Sequence, residues 1–155
     1  MPHQVDGVVH NVGVRDDAVQ VVDIRDGTPL HVPPAHAELP ERMQRLCDFA
    51  NADESAQPFV HPVLRAILLH FMIGYDHPFC DGNGRTARLV EFYILLRAGL
   101  PDIASHILSN HYNDTRQEYY RQLDLCVRER DLSGFVRYAV LGFRDGLRNV
   151  LEVVQ

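Results

Sequence analysis

The sequence contains no lysine: every one of the 15 basic residues among its 155 is an arginine. That absence excludes the chemistry a lysine carries, namely the Walker A Gly-Lys-Ser/Thr loop, the strand lysine of protein kinases and Schiff-base catalysis. Cysteine is scarce as well. Cys47, Cys80 and Cys126 are odd in number, far apart and never in a Cys-x-x-Cys pair, which argues against a disulfide framework or zinc ribbon and for a reduced compartment. Long apolar runs are missing: Val63 to Ile73 is interrupted by Arg65 and His70, and Leu89 to Leu100 by Glu91 and Arg97. Each falls short of the roughly 20 residues of a membrane span, so no membrane is expected. The first residues carry His3, Asp6 and His10 in place of the basic start and apolar stretch of a secretory signal. Positive charge is in deficit, 15 Arg against 21 Asp plus Glu for a net −6, and a face that neutralises nucleic-acid phosphates is not expected.

What is present suits one ordinary domain, with 46% hydrophobic and 23% charged residues. It is read as a single unit over 1–155 with its core about 19–147, either complete or part of a longer protein. Val19, Val21, Val22 and Ile24 lead to Asp26-Gly27, and Leu30 and Val32 follow before Pro33-Pro34. This predicts a β-hairpin with Asp-Gly supplying the positive φ angles of a tight turn. A two-stranded ribbon has little stability alone, so its edge is either a docking surface or an ornament. Beyond Pro34 only helical patterns occur, and the fold class is mainly α. A helix is predicted from Pro40 to about Ala50, with Met43, Leu46, Cys47 and Ala50 on its apolar face. Two more, Pro62 to about Gly74 and Gly84 to about Leu96, are apolar nearly all round, which predicts burial of both. A short turn at Ile103–Leu108, an amphipathic helix over Asn110–Arg128 and a last helix over Leu132–Leu147 complete the expectation.

Between the two apolar helices lies His77-Pro78-Phe79-Cys80-Asp81-Gly82-Asn83-Gly84-Arg85-Thr86-Ala87-Arg88. A loop pinned at both ends by core helices holds its groups in place. Gly82 and Gly84 allow close backbone approach, and the following helix start offers free N–H groups and the positive end of a dipole, an anion cradle. Arg85 and Arg88, three apart, share a helix face and can fork two phosphates. Asp81 is a hard oxygen ligand suited to a magnesium ion that bridges phosphates. Asn83 can donate to a phosphate oxygen without adding charge. His77 is the one side chain of the loop able to take a proton near neutral pH.

These twelve residues match throughout the His-Pro-Phe-x-Asp/Glu-Gly-Asn-Gly-Arg-x-x-Arg signature, and the chain therefore resembles the Fic family. The hairpin with its Val-Pro-Pro end, His61-Pro62-Val63-Leu64-Arg65-Ala66 and Tyr119-Tyr120 are similar too. Ala87 stands where relatives often have Gly. The resemblance implies a helical bundle with a small β-hairpin flap, and transfer of AMP from ATP to a Ser, Thr or Tyr hydroxyl of a protein with Mg²⁺. Carried over by residue, His77 is the general base and Asp81 the magnesium ligand. Phe79 is an apolar anchor, Asn83 with the Gly82 and Gly84 amides holds the α-phosphate, and Arg85 and Arg88 hold the β- and γ-phosphates. The implied partner is a protein target docked at the flap, and because no Ser/Thr-x-x-x-Glu-Gly/Asn motif occurs here to pair with Arg88, the inhibitory Glu is expected either from an N-terminal segment outside this sequence or from an antitoxin-like inhibitor. The expected location is the cytoplasm, or a host cell if the domain is delivered as part of an effector.

Other readings remain beside this one. The motif grips phosphates and metal but not the base, so UMP or phosphocholine transfer is a rival. A non-catalytic nucleotide-binding module would use the same loop. A helical metal phosphohydrolase ranks low, since Asp76-His77 reverses the usual His-Asp order. Tyr112, Asn113, Tyr119 and Tyr120 are weak candidates for an adenine pocket, with the core as their commoner place. His70 is read as a core or rim histidine and His61 as a helix-start residue. Arg42, Arg45, Arg121, Arg128 and Arg130 are read as a solvated surface.

Overall fold

The computed structural model describes residues 13–23, 26–52, 55 and 57–154. Strands β1 (Val21–Val22) and β2 (Pro29–His31) pair antiparallel, with Val21 opposite His31 and Val22 opposite Pro29 and an irregularity between them. The expected tight turn is instead the longer connection 23–28, and Ile24 lies outside the described residues. Among the described residues of that connection, only Gly27 takes a positive φ, at +74°. Asp26 is spent differently, its carboxylate accepting the Thr28 N–H at 2.9 Å, while the Asp23 carbonyl accepts the Gly27 N–H at 2.7 Å. Pro29 brings no N–H to the ladder, which keeps the pairing brief.

Helix α1 (Leu39–Asn51) starts with Pro40 in its first turn and buries Leu39 and Leu46; Cys47 is exposed, not on the core face. In α2 (Pro62–Asp76) the His61 ring caps the start by accepting the Val63 N–H at 3.2 Å. Ala66, Ile67, Leu69 and Ile73 of α2 are the centre of the core. Helix α3 (Asn83–Arg97) packs along α2. Its predicted full burial fails on one side: Ala87, Ile94 and Leu95 face inward, but Leu89 is 66% and Tyr93 57% exposed. Its inner stripe needs so few apolar groups because Glu91 is buried within it.

Short α4 (Asp102–Ser105) leads to α5 (Ile107–Asp114) and α6 (Arg116–Glu129). The single helix expected over Asn110–Arg128 is thus broken at Thr115, whose hydroxyl donates to the His111 carbonyl at 2.6 Å and meets the Tyr138 hydroxyl at 2.5 Å. A side chain that bonds the preceding turn competes with the helix ladder. Helix α7 (Ser133–Val154) runs further than expected. Close α5–α7 packing needs its glycines: a Cβ at Gly142 would lie 2.2 Å from the His111 ring, and one at Gly146 2.3 Å from Ile107.

Beneath the loop-bearing helices lies a polar knot. His70 and the Tyr119 hydroxyl share a hydrogen bond at 2.8 Å, and the Tyr112 hydroxyl donates to Glu91 at 3.0 Å. All four residues are buried. Burial pushes both phenol pKa values well up, so the hydroxyls stay protonated and satisfied. Among the described residues no helix is long and apolar enough to cross a membrane.

Candidate active site

Helix α2 ends where the chain turns left-handed. His77 is its C-cap, with φ 46° and ψ 57°, a conformation that costs a residue with a β-carbon about 1 kcal/mol or more. Its N–H donates to the Ile73 carbonyl at 3.0 Å. The ring nitrogen Nδ1 lies 3.4 Å from the Gly74 carbonyl. A carbonyl only accepts, so Nδ1 carries the proton and Nε2 keeps its lone pair. Burial holds the His77 pKa below its usual 6.5, the Gly74 bond opposes this, and the nearby His31 ring and the Arg15 guanidinium add to the lowering. His77 is therefore neutral near pH 7, the state a general base requires.

Pro78, fully buried, anchors the loop, while Phe79 is half-buried. Asn83 is 3% exposed. Its carbonyl oxygen accepts the Phe79 N–H at 2.9 Å and its amide donates to the Phe79 carbonyl at 2.7 Å. One side chain thus closes the loop across both polar groups of a single residue, and only its second N–H is left for a ligand.

The outer residues differ. The Asp81 carboxylate accepts the Gly82 N–H at 2.6 Å and pairs with Arg85 at 3.0 Å, the two side chains being 89% and 80% exposed. The predicted metal ligand and one predicted phosphate ligand thus face each other, and the Gly82 amide is engaged. Gly82 has φ +82°, which demands glycine. Nothing lies within 4 Å of a Cβ built at Gly84, so the approach to the helix start is open. The amides that begin α3 have no acceptor inside the helix. Half-buried Arg88 has no hydrogen bond or ion pair among the described residues; its charge is felt by Tyr119. A cleft of about 300 Å³ is lined by His77 and by Cys80 to Arg85, which brings together the predicted base, metal ligand and amide cradle. Arg88 lies outside that lining. Tyr112 and Tyr119 are in the core and closed to an adenine, whereas Asn113 and Tyr120 are exposed.

Four residues with no motif of their own complete the surroundings. Asp76, 3% exposed, accepts from Arg42 Nε at 2.7 Å. Arg42 is therefore not part of a merely solvated surface; Arg45, Arg121 and Arg128 pair at the surface with Glu41, Glu118 and Asp124. His31 of β2 donates from Nε2 to the Tyr75 carbonyl at 2.7 Å. Arg15 is buried and bonds carbonyls on both sides of His77. Partners 34 to 62 residues apart leave no periodic trace in a sequence.

The Fic/DOC family model matches residues 4–95. A protein adenylyltransferase Fic from Drosophila willistoni is 40% identical over 108 residues, 70% of this chain and 20% of that protein. The same-named protein from Drosophila grimshawi is 39% identical over the same shares. The chain thus spans about a fifth of the length of these curated relatives. A crystal structure of a Fic family protein from Desulfovibrio desulfuricans superposes with a TM-score of 0.76 at 26% identity, covering 96% of this chain and 43% of the other. A Fic-domain signaling protein from Bacteroides thetaiotaomicron gives 0.61 at 28% identity, covering 87% and 49%.

Proposed function

The chain belongs to the Fic/DOC family, and on that premise we propose that it transfers AMP from ATP to a Ser, Thr or Tyr hydroxyl of a protein. The curated relatives are named protein adenylyltransferases. The observation that carries the reading is the His77 imidazole, its Nδ1 turned to the Gly74 carbonyl, lining the same open cleft as an uncapped helix start. In the reaction Nε2 of His77 takes the proton of the acceptor hydroxyl, whose oxygen bonds to the α-phosphorus as the bond to the pyrophosphate breaks. The amides at the start of α3 and the spare N–H of Asn83 stabilise the α-phosphate, and Arg85 and Arg88 the departing pyrophosphate.

The residues present fit Mg²⁺. The ion is commonly held by one or two carboxylates plus substrate phosphates and water, and Asp81 offers an exposed carboxylate whose only charged partner among the described residues is Arg85. So exposed a pair is worth little, and Arg85 is free to turn to a phosphate when Asp81 turns to the metal. Bound there, Mg²⁺ would neutralise phosphate charge. The cytoplasm, or a host cell, is the location that suits ATP.

The hairpin is the proposed target dock, its short ladder leaving backbone groups for an added strand. Proline at Leu30 should then slow modification of a protein target while ATP binding holds; equal rates would make the flap ornamental. No carboxylate among the described residues pairs with Arg88, and this chain alone should act without an activating substitution, any restraint coming from an antitoxin-like partner or from a further segment of the protein. Intact-mass measurement after incubation with ATP and Mg²⁺ tests the whole reading. Added AMP on the chain or on a target supports it; bound ATP with no adduct, or an adduct from UTP or a phosphocholine donor only, overturns it.

A further inference from the structure

Six consecutive main-chain carbonyls, Ile73 to Pro78, cross from the end of α2 into the loop, and each accepts a hydrogen bond. His77 supplies the first two from its own N–H, at 3.0 Å, and Nδ1, at 3.4 Å. The other four are taken by residues upstream. His31 Nε2 reaches the Tyr75 carbonyl at 2.7 Å, and Arg15 takes the next three: Asp76 from Nη2 at 3.4 Å, His77 from Nε at 2.9 Å and Pro78 from its own N–H at 2.8 Å. Among the described residues, the remaining contacts of the Arg15 guanidinium are the Asp17 carbonyl at 2.7 Å and the Pro34 carbonyl at 2.6 Å.

Two features set this arginine apart from an ordinary buried ion pair. It is 3% exposed, yet every partner it bonds among the described residues is a neutral carbonyl, although the Asp76 carboxylate stands one residue from His77 and is given to Arg42 instead. An always-charged, planar fork of five donors suits several fixed acceptors at once. The second feature is which carbonyls it selects. The Asp76 and His77 carbonyls belong to the two peptide planes that flank the His77 α-carbon, and the angle between those planes is the φ and ψ of His77. That residue sits at 46° and 57°, where a side chain is disfavoured.

We propose that Arg15 is a positioning residue for His77: its guanidinium clamps the two peptide planes around the base, and through Pro34 it ties the end of the hairpin to the same point. The flap that would align a target and the imidazole that would take its proton are then one mechanical unit. This rests on His77 as the base, and the test separates the two claims.

Arg15→Lys keeps the charge and loses the fork. With ATP, Mg²⁺ and a modifiable target, kcat should fall about ten- to a hundredfold, the scale of an ångström-level misplacement, while KM for ATP stays unchanged. Unchanged kcat, or a loss entirely in KM, overturns the proposal. A stability cycle reads the clamp without any activity. Arg15→Lys should lower Tm in the natural chain and distinctly more in a His77→Gly background, because His77 freed of the clamp recovers backbone strain whereas glycine, which takes the left-handed conformation freely, has none to recover. Equal losses in the two backgrounds would leave Arg15 a plain structural residue. If the lysine variant does not fold, Arg15→Gln, with two N–H donors and no charge, is put through the same cycle against the same outcomes. If the natural chain transfers nothing, the catalytic reading fails and the cycle still decides the clamp.

Discussion

On its inner side the loop from His77 to Arg88 is saturated with hydrogen bonds, whereas on its outer side the charged groups are exposed and loosely paired. Asn83 closes both polar groups of Phe79, and the Asp76 carboxylate is taken by Arg42. Asp81 and Arg85 hold each other across a surface ion pair, and Arg88 has no hydrogen-bonded or ionic partner among the described residues. The inner bonds cannot open without leaving buried polar groups unpaired, which is costly; the outer pair can exchange partners at almost no cost. Rigidity is concentrated where His77 and the α3 amides stand, and freedom is left to the exposed charged groups proposed to meet a ligand.

His77→Ala removes the group that both faces serve and should lower transfer about 10²- to 10⁴-fold with ATP affinity retained, as read by single-turnover kinetics and calorimetry. Near-normal turnover would take His77 out of the mechanism. The same residue sets the pH response. Because burial lowers its pKa below 6.5, kcat/KM should be flat above neutrality and fall about tenfold per pH unit only in a limb lying below 6.5. A limb above 6.5 would contradict the burial argument.

On the inner face, Asn83→Ala leaves the Phe79 N–H and carbonyl without their partner and should cost about 1–3 kcal/mol of unfolding free energy, measured by urea titration. On the outer face, Arg88→Ala should leave stability unchanged and weaken ATP about tenfold, as for a lost charge-assisted bond of about 1.5 kcal/mol. If the two variants exchanged signatures, the division between faces would be wrong. The smallest effect belongs to Asp81→Asn, which should alter stability by no more than about 0.5 kcal/mol. It should nevertheless raise the Mg²⁺ concentration that activity requires, and an unchanged requirement would remove Asp81 from the metal.

The twelve-residue loop was legible because its residue types and spacing each carry chemistry, and α2 and α3 because their apolar runs end at prolines and glycines. The break at Thr115 was not, since it comes from a hydroxyl bonding the His111 carbonyl and Tyr138 on another helix. The exposure of Leu89 and Tyr93 was missed for a related reason: an apolar helix side is covered only if the fold supplies something to cover it. Arg42 was read as solvated because its partner, Asp76, lies 34 residues away.

By itself the sequence determined the helical class, the hairpin, and the identity and order of the groups that could hold phosphates and move a proton, because these depend on local residue chemistry. Only the tertiary structure decided which nitrogen of His77 is free and that Asn83 is spent mainly on the loop itself. It alone decided, too, that Arg15 stands behind His77. Each of those depends on which carbonyl lies within 3.5 Å of which donor, and that distance is set by how the chain packs against itself rather than by any neighbour in the sequence.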